Sequence, residues 1–487
     1  MTTEIPATAM LRHYLIACAQ HPHPWWTAWR LLARSCGLLL SNVWTAVGRP
    51  HMTYSIPILH EGISQAETGT WRRDLCARWL SELRLVPPGS IRYVVVHPPR
   101  APHPEYLLRR HLLQGFGTRN ITRLLVGAAR SIALAVRFAY THGSVTGVLA
   151  AAAAIRVQFY TAVIVFRRPR LYLTTSSGLF PDTAAATAFR TAGLPAVAWS
   201  YSQNVSLFSA TVPLPHYRVD QALPAVEAIS IWTPQHGAQL QHSEKRACQH
   251  PLFGPTMMGD PAYVRQRPAD VRQDYGLAFT PLAVGIFDVA AHAPSMQHKL
   301  WGTGPTELTA DYCSAFYDLL WPMLANLPRT VMLLYSQKRT RHKGLLDLSA
   351  QRAFHAHPRI LQLVPGMDPY RALGLCDIVI AQPFSSMVIA AWQFGRLGFW
   401  FDPLSRCRYH LYPECESLIA HGPKECEEML TAMCNPRQAA EYRHLLNSPI
   451  FRPYRADGVP PDSVRDWLAT AKETGEQVWR TSRARPA

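Results

Sequence analysis

The chain has 487 residues, 48% of them apolar and 17% charged, which is enough for two or three domains with their own cores and excludes a disordered polymer. Its formal charge of +17 is lopsided: residues 1–175 hold 20 Arg, no Lys and six Asp or Glu, so +14 sits in that stretch. Ten scattered cysteines without a CxxC pair argue against a zinc knuckle and for free thiols in a reducing compartment, and forty prolines argue against long helical arrays.

In chain order, Met1 to Ala9 lacks basic residues and Leu11 to Ala19 is broken by Arg12 and His13, so no secretory signal is expected. Trp25, Trp26 and Trp29, with Leu31, Leu32 and Leu38 to Leu40, have the spacing of amphipathic helices. A second helix is expected around Trp71, Leu75, Trp79 and Leu83, ending at Pro87-Pro88-Gly89. Arg92 to His97 reads as the first strand, and a mostly helical stretch runs from there to about Arg156. Within it Phe138 to Ile155 is the nearest thing to a membrane span. It contains His142, Gly143 and Gly147, is mostly Ala, and is bracketed by Arg137 and Arg156, so a buried helix or two is expected in place of a span. The arginine excess needs an anionic partner or solvent. An anionic membrane surface suits the Leu-, Ala- and Trp-rich context, whereas nucleic acid lacks any accompanying helix-turn-helix, RRM or zinc-finger signature. The bland alternative is a solvated arginine surface.

Alternating elements follow. Thr161 to Phe166 and Leu171 to Thr175 read as strands, Thr183 to Thr191 as a helix with Asp182 as its N-cap, and Ala196 to Ser200 and Ala228 to Trp232 as strands. Pro251 to Gly259 and the polar Arg265 to Asp274 read as an interdomain link. A second series comprises a strand Pro281 to Asp288, a helix Ala310 to Leu320, strands Thr330 to Tyr335 and Ile360 to Val364, and a short helix Pro369 to Leu375. Helices over Gly422 to Met433, Arg437 to Asn447 and Val464 to Thr481 close the chain. The fold class expected is α/β, two Rossmann-like doubly wound domains with additional helices at the N-terminus and C-terminus: residues 1–255, 275–455, and 456–487 as a C-terminal helix or tail.

The most specific stretch is Cys376 to Asp402. Ile378 to Ala381 is a short apolar run typical of a strand buried on both faces, and Gln382-Pro383-Phe384 breaks it. Ser385 or Ser386 then caps a helix that Gly395 stops, and Leu397 to Phe401 forms the next strand. A helix start with two hydroxyls past a parallel strand's carboxyl end suits a phosphate, although it also describes an ordinary capped helix.

Gln382-Pro383-Phe384-Ser385-Ser386 resembles the signature of the bacterial polysaccharide biosynthesis PFTS-motif family, with Ser385 where that family usually has Thr; the hydroxyl is retained. Asp377 to Asp402 also looks like the last βαβ unit of a GT-B glycosyltransferase, and Ser385-Ser386 resembles the paired serines of bacterial CMP-sialic acid transferases. The resemblance implies a GT-B, metal-independent glycosyltransferase. It would move a sugar from a nucleotide-sugar, with CMP-linked acidic sugars one donor class, to a surface polysaccharide or a lipid-linked acceptor. The nucleotide-sugar is a substrate and no cofactor is implied. The location implied is cytoplasmic, peripheral on the inner membrane. A non-hydrolysing nucleotide-sugar epimerase, which needs no acceptor, and a non-catalytic polysaccharide assembly protein are the competing classes.

Several groups fit such chemistry. Lys338, Arg339, Arg341 and His342 follow the strand ending at Tyr335, where cations would neutralise the leaving phosphate; a solvated loop is the plain alternative. Asp288 closes a strand and leads to His292, and the pair is placed to hold ribose or sugar, or simply to cap a turn. An inverting transfer needs a general base on the acceptor side. Asp182 is the first candidate, with His97 and His236 as alternatives. No GxxxxGK[ST], GxSxG or DxD pattern is present.

Overall fold

The computed structural model describes residues 24–47, 58–61, 91–95, 106–108, 112–114, 116–142, 145–174, 182–200, 226–243, 248–254, 262–277, 282–291, 309–336, 346, 348–364, 367–383, 385–410, 413–449, 451 and 461–483. The helix expected around Trp71 to Leu83 lies outside them.

The first half runs α1 (Pro24–Val47), β1 (Ile58–Glu61), β2 (Ile91–Val95), β3 (Tyr106–Leu108), α2 (Thr118–His142), α3 (Thr146–Arg167), β4 (Leu171–Thr174), α4 (Asp182–Thr191), β5 (Ala196–Ala198), β6 (Ala228–Ile229) and α5 (Pro234–Ser243). The second half runs α6 (Ala262–Arg265), α7 (Pro268–Asp274), β7 (Leu282–Phe287), α8 (Ala310–Asn326), β8 (Val331–Ser336), α9 (Ser349–His355), β9 (Ile360–Gln362), α10 (Pro369–Gly374), β10 (Ile378–Ala381), α11 (Ser386–Gln393), β11 (Leu397–Asp402), β12 (Ile419–His421), α12 (Pro423–Cys434) and α13 (Pro436–Leu446). A final helix, α14 (Pro461–Arg483), closes the chain.

Two six-stranded sheets result, ordered β3-β2-β1-β4-β5-β6 and β12-β11-β10-β7-β8-β9, and every pairing in both is parallel. Counted within its own half, each has the doubly wound order 3-2-1-4-5-6 or its mirror listing. The direction of winding therefore reverses between β1 and β4 in one sheet and between β7 and β10 in the other. Loops diverge at that reversal and open a crevice at the carboxyl ends of the strands. In the second sheet the register Ile378↔Val284 to Ala381↔Phe287 brings the ends of β10 and β7 level, so Gln382 and Asp288 flank the crevice.

The strands of the second half are near-continuous apolar runs because helices cover both faces. Residues of β10, β11 and α11 are all buried. Gly285 on β7 lets Cys376 pack against the strand: a Cβ there would stand 2.8 Å from Phe287 and closer still to the Cys376 sulfur. The polar segment read as a link is instead built into this half. Its helix α7 carries Arg272, which is buried and donates to the Leu375 carbonyl at 2.8 Å and to Asp377 Oδ2 at 2.8 Å. Asp377 Oδ2 also accepts the Ala283 N–H at 2.9 Å, fixing the amino ends of β7 and β10 together.

In the first half α3 is the central helix, buried along Val148 to Ile164, with α1, α2 and α4 packed on it. The strand expected at Thr161 to Phe166 is therefore the last turns of a helix. Its β-branched and aromatic side chains (Val163, Ile164, Phe166) pack inside the helical layer, and burial outweighs their strand preference. The apolar stretch Phe138 to Ile155 is likewise two helices with a break between His142 and Thr146. The strands β1, β3 and β12 were not anticipated.

Helix α14 folds back on the first sheet. Trp479 Nε1 donates to the Pro169 carbonyl at 2.8 Å, Glu476 pairs with Arg170 at 2.5 Å, and Trp467 meets Phe253 edge-on at 5.6 Å between ring centres. Gly475 makes this docking possible, since a Cβ there would overlap the Arg170 backbone carbonyl.

Candidate functional site

The crevice of the second sheet is built by three short turns. After β10, Gln382 is fully buried; its Oε1 accepts the Val289 N–H at 2.7 Å and its Nε2 reaches Cys313 Sγ at 3.5 Å. The turn following β10 is thus tied to the turn following β7. Ser385 then takes extended backbone angles (φ −57°, ψ 130°) and its Oγ accepts the Met387 N–H at 3.4 Å. That is the N-cap anticipated at Ser385 or Ser386, and helix α11 begins at Ser386. Trp400 on β11 donates its indole N–H to the Ser385 carbonyl at 3.2 Å, while Trp392 packs edge-on against it at 5.0 Å and donates to the Gly398 carbonyl at 2.8 Å. Trp400 ties the start of the helix, and Trp392 its end, to β11.

The consequence is electrostatic. α11 is buried throughout, so its aligned peptide dipoles act through protein instead of water, and its first turn carries no acidic residue. In the first turn the Met387 N–H is capped by Ser385 Oγ and the Val388 N–H by the Ser385 carbonyl, Ser386 is buried, and the helix start lies just past the carboxyl end of β10, beside the reversal. A helix start in this place is a candidate anion site.

Asp288 stands across the reversal, but its carboxylate is committed to the protein. Oδ2 accepts from Tyr317 Oη at 2.7 Å, from Gln351 Nε2 at 2.8 Å, and from Tyr335 Oη. Burial first, and the carboxylate second, push both phenols well above their ordinary value, so they remain donors. Asp288 therefore ties together β7, α8, β8 and α9 beneath the crevice, and the ribose-holding role expected of it has no support in this geometry.

His236 is also engaged internally. It is buried on α5; its Nδ1 accepts the Trp232 N–H at 3.2 Å, and its own backbone N–H donates to Thr233 Oγ1 at 3.2 Å. The Nδ1 lone pair is thus engaged by the backbone and does not face an acceptor hydroxyl. Its neighbour Gln235 bonds Glu414 of the segment Pro413–Leu418, joining the two halves. Asp182 opens α4 as its first residue, downstream of the carboxyl end of β4, the strand beside the first sheet's reversal. His97, Lys338, Arg339, Arg341, His342 and His292 lie outside the described residues.

One cluster was not anticipated. Asp402 ends β11 and pairs in register with His421 at the end of β12. Asp402 is fully buried and accepts from Tyr312 Oη at 2.7 Å, from the Cys407 N–H at 2.6 Å and from His421 Nδ1 at 3.2 Å. His421 Nε2 meets Glu416 at 2.9 Å, and Glu416 meets His410 at 2.7 Å. The hydrogen bond to Asp402, opposed by burial and aided by Glu416, raises His421 to about 9, so it is an imidazolium at neutral pH. Burial works against the charge on Asp402, yet His421, Tyr312 and the backbone donors outweigh it and hold the carboxyl below its ordinary value. Beside this cluster an open cavity of about 960 Å³ is lined by Glu414, Glu416, Glu425, Glu428 and Tyr442. Its carboxylates are the wrong sign for a nucleotide phosphate, so the helix start, not this cavity, is the candidate anion site. Among the described residues no group of His, Cys, Asp or Glu is arranged to hold a metal ion.

Comparison with known proteins bears on this arrangement. The model of the polysaccharide biosynthesis PFTS motif protein family matches residues 143–430. No curated protein matches the chain. Among solved structures, the wall teichoic acid polymerase TagF soaked with CDPG is similar with a TM-score of 0.50 at 8% identity, over 92% of this chain and 98% of that one. Anabaena HepE in complex with UDP and glucose gives 0.43 at 12% identity over 88% and 100%, and a UDP-GlcNAc 2-epimerase from Neisseria meningitidis bound to UDP-GlcNAc gives 0.43 at 10% over 85% and 98%. The first is a likeness of fold, the two-sheet GT-B plan; the other two overlay too loosely to carry an argument.

Proposed function

The chain belongs to the polysaccharide biosynthesis PFTS motif family, and on that premise we propose that it is a metal-independent GT-B glycosyltransferase. In this reading it transfers a sugar from a nucleotide-sugar to a surface polysaccharide or a lipid-linked acceptor at the cytoplasmic face of a membrane. The observation that carries it is the start of α11. A wholly buried helix starts at Ser385 and Ser386, just past the carboxyl end of β10 and beside the reversal of the second sheet, the place where a nucleotide phosphate would meet its amino end.

The chemistry follows from where charge develops. An acceptor hydroxyl oxygen bonds to the anomeric carbon as the bond from that carbon to the phosphate oxygen breaks. The electron pair leaves with the nucleotide phosphate, and the hydroxyl proton passes to a base. The first turn of α11 and its two hydroxyls stabilise the departing phosphate, and Lys338 and Arg341, which follow β8 in the sequence, add positive charge. Asp182 takes the proton, with His97 the alternative. CMP-linked acidic sugars are the first donors to try, and UDP- and CDP-linked donors the next.

The test is a thermal-shift panel of nucleotide-sugars on the purified full chain. A ligand that binds only the native state raises stability with its concentration over its Kd, so a donor registers even when it binds weakly. A melting temperature unmoved by every nucleotide and nucleotide-sugar at millimolar concentration would remove the proposal.

A further inference from the structure

The outer faces of α1 and α2 carry an unusual surface. On α1 the inward face (Ala28, Leu32, Ser35, Leu39, Asn42 and Ala46) is buried against the helical layer, where Arg156 of α3 donates to Ser35 Oγ at 2.8 Å. The outward face shows Trp26 at 67% exposure and Trp44 at 83%, with Trp29, Arg30, Arg34 and Leu40 between them. On α2, Ile121, Leu124, Ala128 and Ala135 face inward. Its four arginines, Arg119, Arg123, Arg130 and Arg137, are all exposed. At 3.6 residues per turn they fall within about 40° of one another, a single stripe along the helix. Val126, Leu134, Phe138 and Tyr140 are exposed beside that stripe.

Two further facts sharpen the picture. Among the described residues, eleven of the fifteen large apolar side chains left exposed lie on α1, α2 and α3, so the patch is localised. The charge on this layer is of one sign: residues 24–47 and 106–181 contain Arg but no Asp or Glu. On α1, burial and then the neighbouring Arg30 and Arg156 guanidiniums push Arg34 below its ordinary value, as crowding of like charge without a carboxylate requires.

We propose that the outer faces of α1 and α2 form a docking surface for an anionic phospholipid bilayer, Trp26, Trp29 and Trp44 entering the interface and the Arg119–Arg137 stripe binding headgroup phosphates. Tryptophan and tyrosine favour the headgroup level because one side of the ring is apolar and the other finds hydrogen bonds, and guanidinium matches phosphate oxygens in pairs. The mode is peripheral. Although Thr118–Thr141 and Thr146–Arg167 are long and apolar enough to cross a membrane, α2 carries its arginines along its whole length, Arg130 at the middle, and α3 is mostly buried in protein. A nucleic acid would use the arginines but leave the Leu, Val and Trp face uncovered. The proposal gives a membrane-borne acceptor its route to the enzyme and rests on the transferase reading only for that purpose.

The experiment is co-sedimentation of the full-length chain with vesicles of phosphatidylcholine, alone or with one-third phosphatidylglycerol, alongside donor thermal shift on the same protein. The expected result is binding at least tenfold tighter to the anionic vesicles, released by high salt and accompanied by a blue shift of tryptophan emission. The Arg119, Arg123, Arg130 and Arg137→Gln variant should lose at least tenfold, the corresponding Lys variant should recover most of it, and Trp26→Ser with Trp44→Ser should lose both binding and blue shift. Donor thermal shift should be unchanged in all of them, so a failed docking surface and a failed donor site are told apart. Equal binding to both vesicle types, no loss in the Gln variant, retention after alkaline carbonate, or preferential binding of an RNA or protein competitor would overturn it.

Discussion

The imidazolium of His421 offers a stability effect whose sign and pH window are both determined. Its value in the folded protein is about 9 against an ordinary 6.5, because Asp402 and Glu416 hold the charged ring between them. A group whose folded value is raised stabilises fully below the unfolded value, and that contribution is lost as pH rises through the folded one. The window is therefore from about pH 6.5 to about pH 9. At about 1.4 kcal/mol per pH unit the gap sets an upper bound of about 3.5 kcal/mol. The ring is 24% exposed and shares its charge with two carboxylates, so ~1–2 kcal/mol is the working figure. For a half of this size that corresponds to roughly 2–8 °C in melting temperature. The assay is the melting temperature of wild type and His421→Gln from pH 6 to 9.5. Wild type should lie higher near neutrality and converge on the variant by about pH 9, since Gln keeps a donor but cannot charge. On the acid side the effect reverses in kind: Asp402 and Glu416 have lowered values, so their contribution is present above the ordinary carboxylate range and lost as pH falls through it. Parallel curves for wild type and variant between pH 6.5 and 9 would refute the clamp.

Three further outcomes are expected. Tyr335→Phe removes one donor from buried Asp288 and should cost about 1–2 kcal/mol, read as a lower melting temperature with donor thermal shift intact; a lost donor shift would return Asp288 to the binding site. Gly475→Ala would raise helix propensity by about 1 kcal/mol on an open surface, yet should lower stability here and weaken the docking of α14, because the new Cβ overlaps the Arg170 carbonyl; a stabilised variant would contradict that close approach. Asp182→Asn keeps the side chain's shape but cannot take a proton, so transfer should fall by at least about a hundredfold at unchanged donor affinity, and near-normal transfer would shift the role to His97.

Much of the second half was legible because its strands are short apolar runs ended by turn residues. Ile378 to Ala381, the Ser385 cap and Leu397 to Asp402 were read within a residue of their observed bounds. What escaped was set by neighbours in space. β1 is four residues, Ile-Leu-His-Glu, and is a strand because β2 and β4 pair with it on either side. Thr161 to Phe166 has strand composition but lies inside a helix that the packing of α1, α2 and α4 secures. The Asp402–His421–Glu416 group could not be seen as a unit, since the register of β11 with β12 is what places Asp402 beside His421. One signal was present: Leu418 to Ala420 is an apolar run stopped by Gly422-Pro423, a short strand leading into a helix start. Asp288 and His236 were picked for residue type and place in a turn, features that a ligand-holding group and an internal staple share.

The measurement closest to the central claim is donor affinity in the Ser385→Ala, Ser386→Ala double variant, by titration calorimetry with the nucleotide-sugar that gives the largest thermal shift. Each hydrogen bond to a charged group is worth about 1.5–3 kcal/mol. The two hydroxyls together, about 3–6 kcal/mol, should therefore weaken binding by roughly a hundredfold to ten-thousandfold, with the circular dichroism spectrum unchanged. An affinity equal to wild type in the intact double variant would contradict the placement of the donor phosphate at the start of α11, and with it the account of the crevice as the donor site.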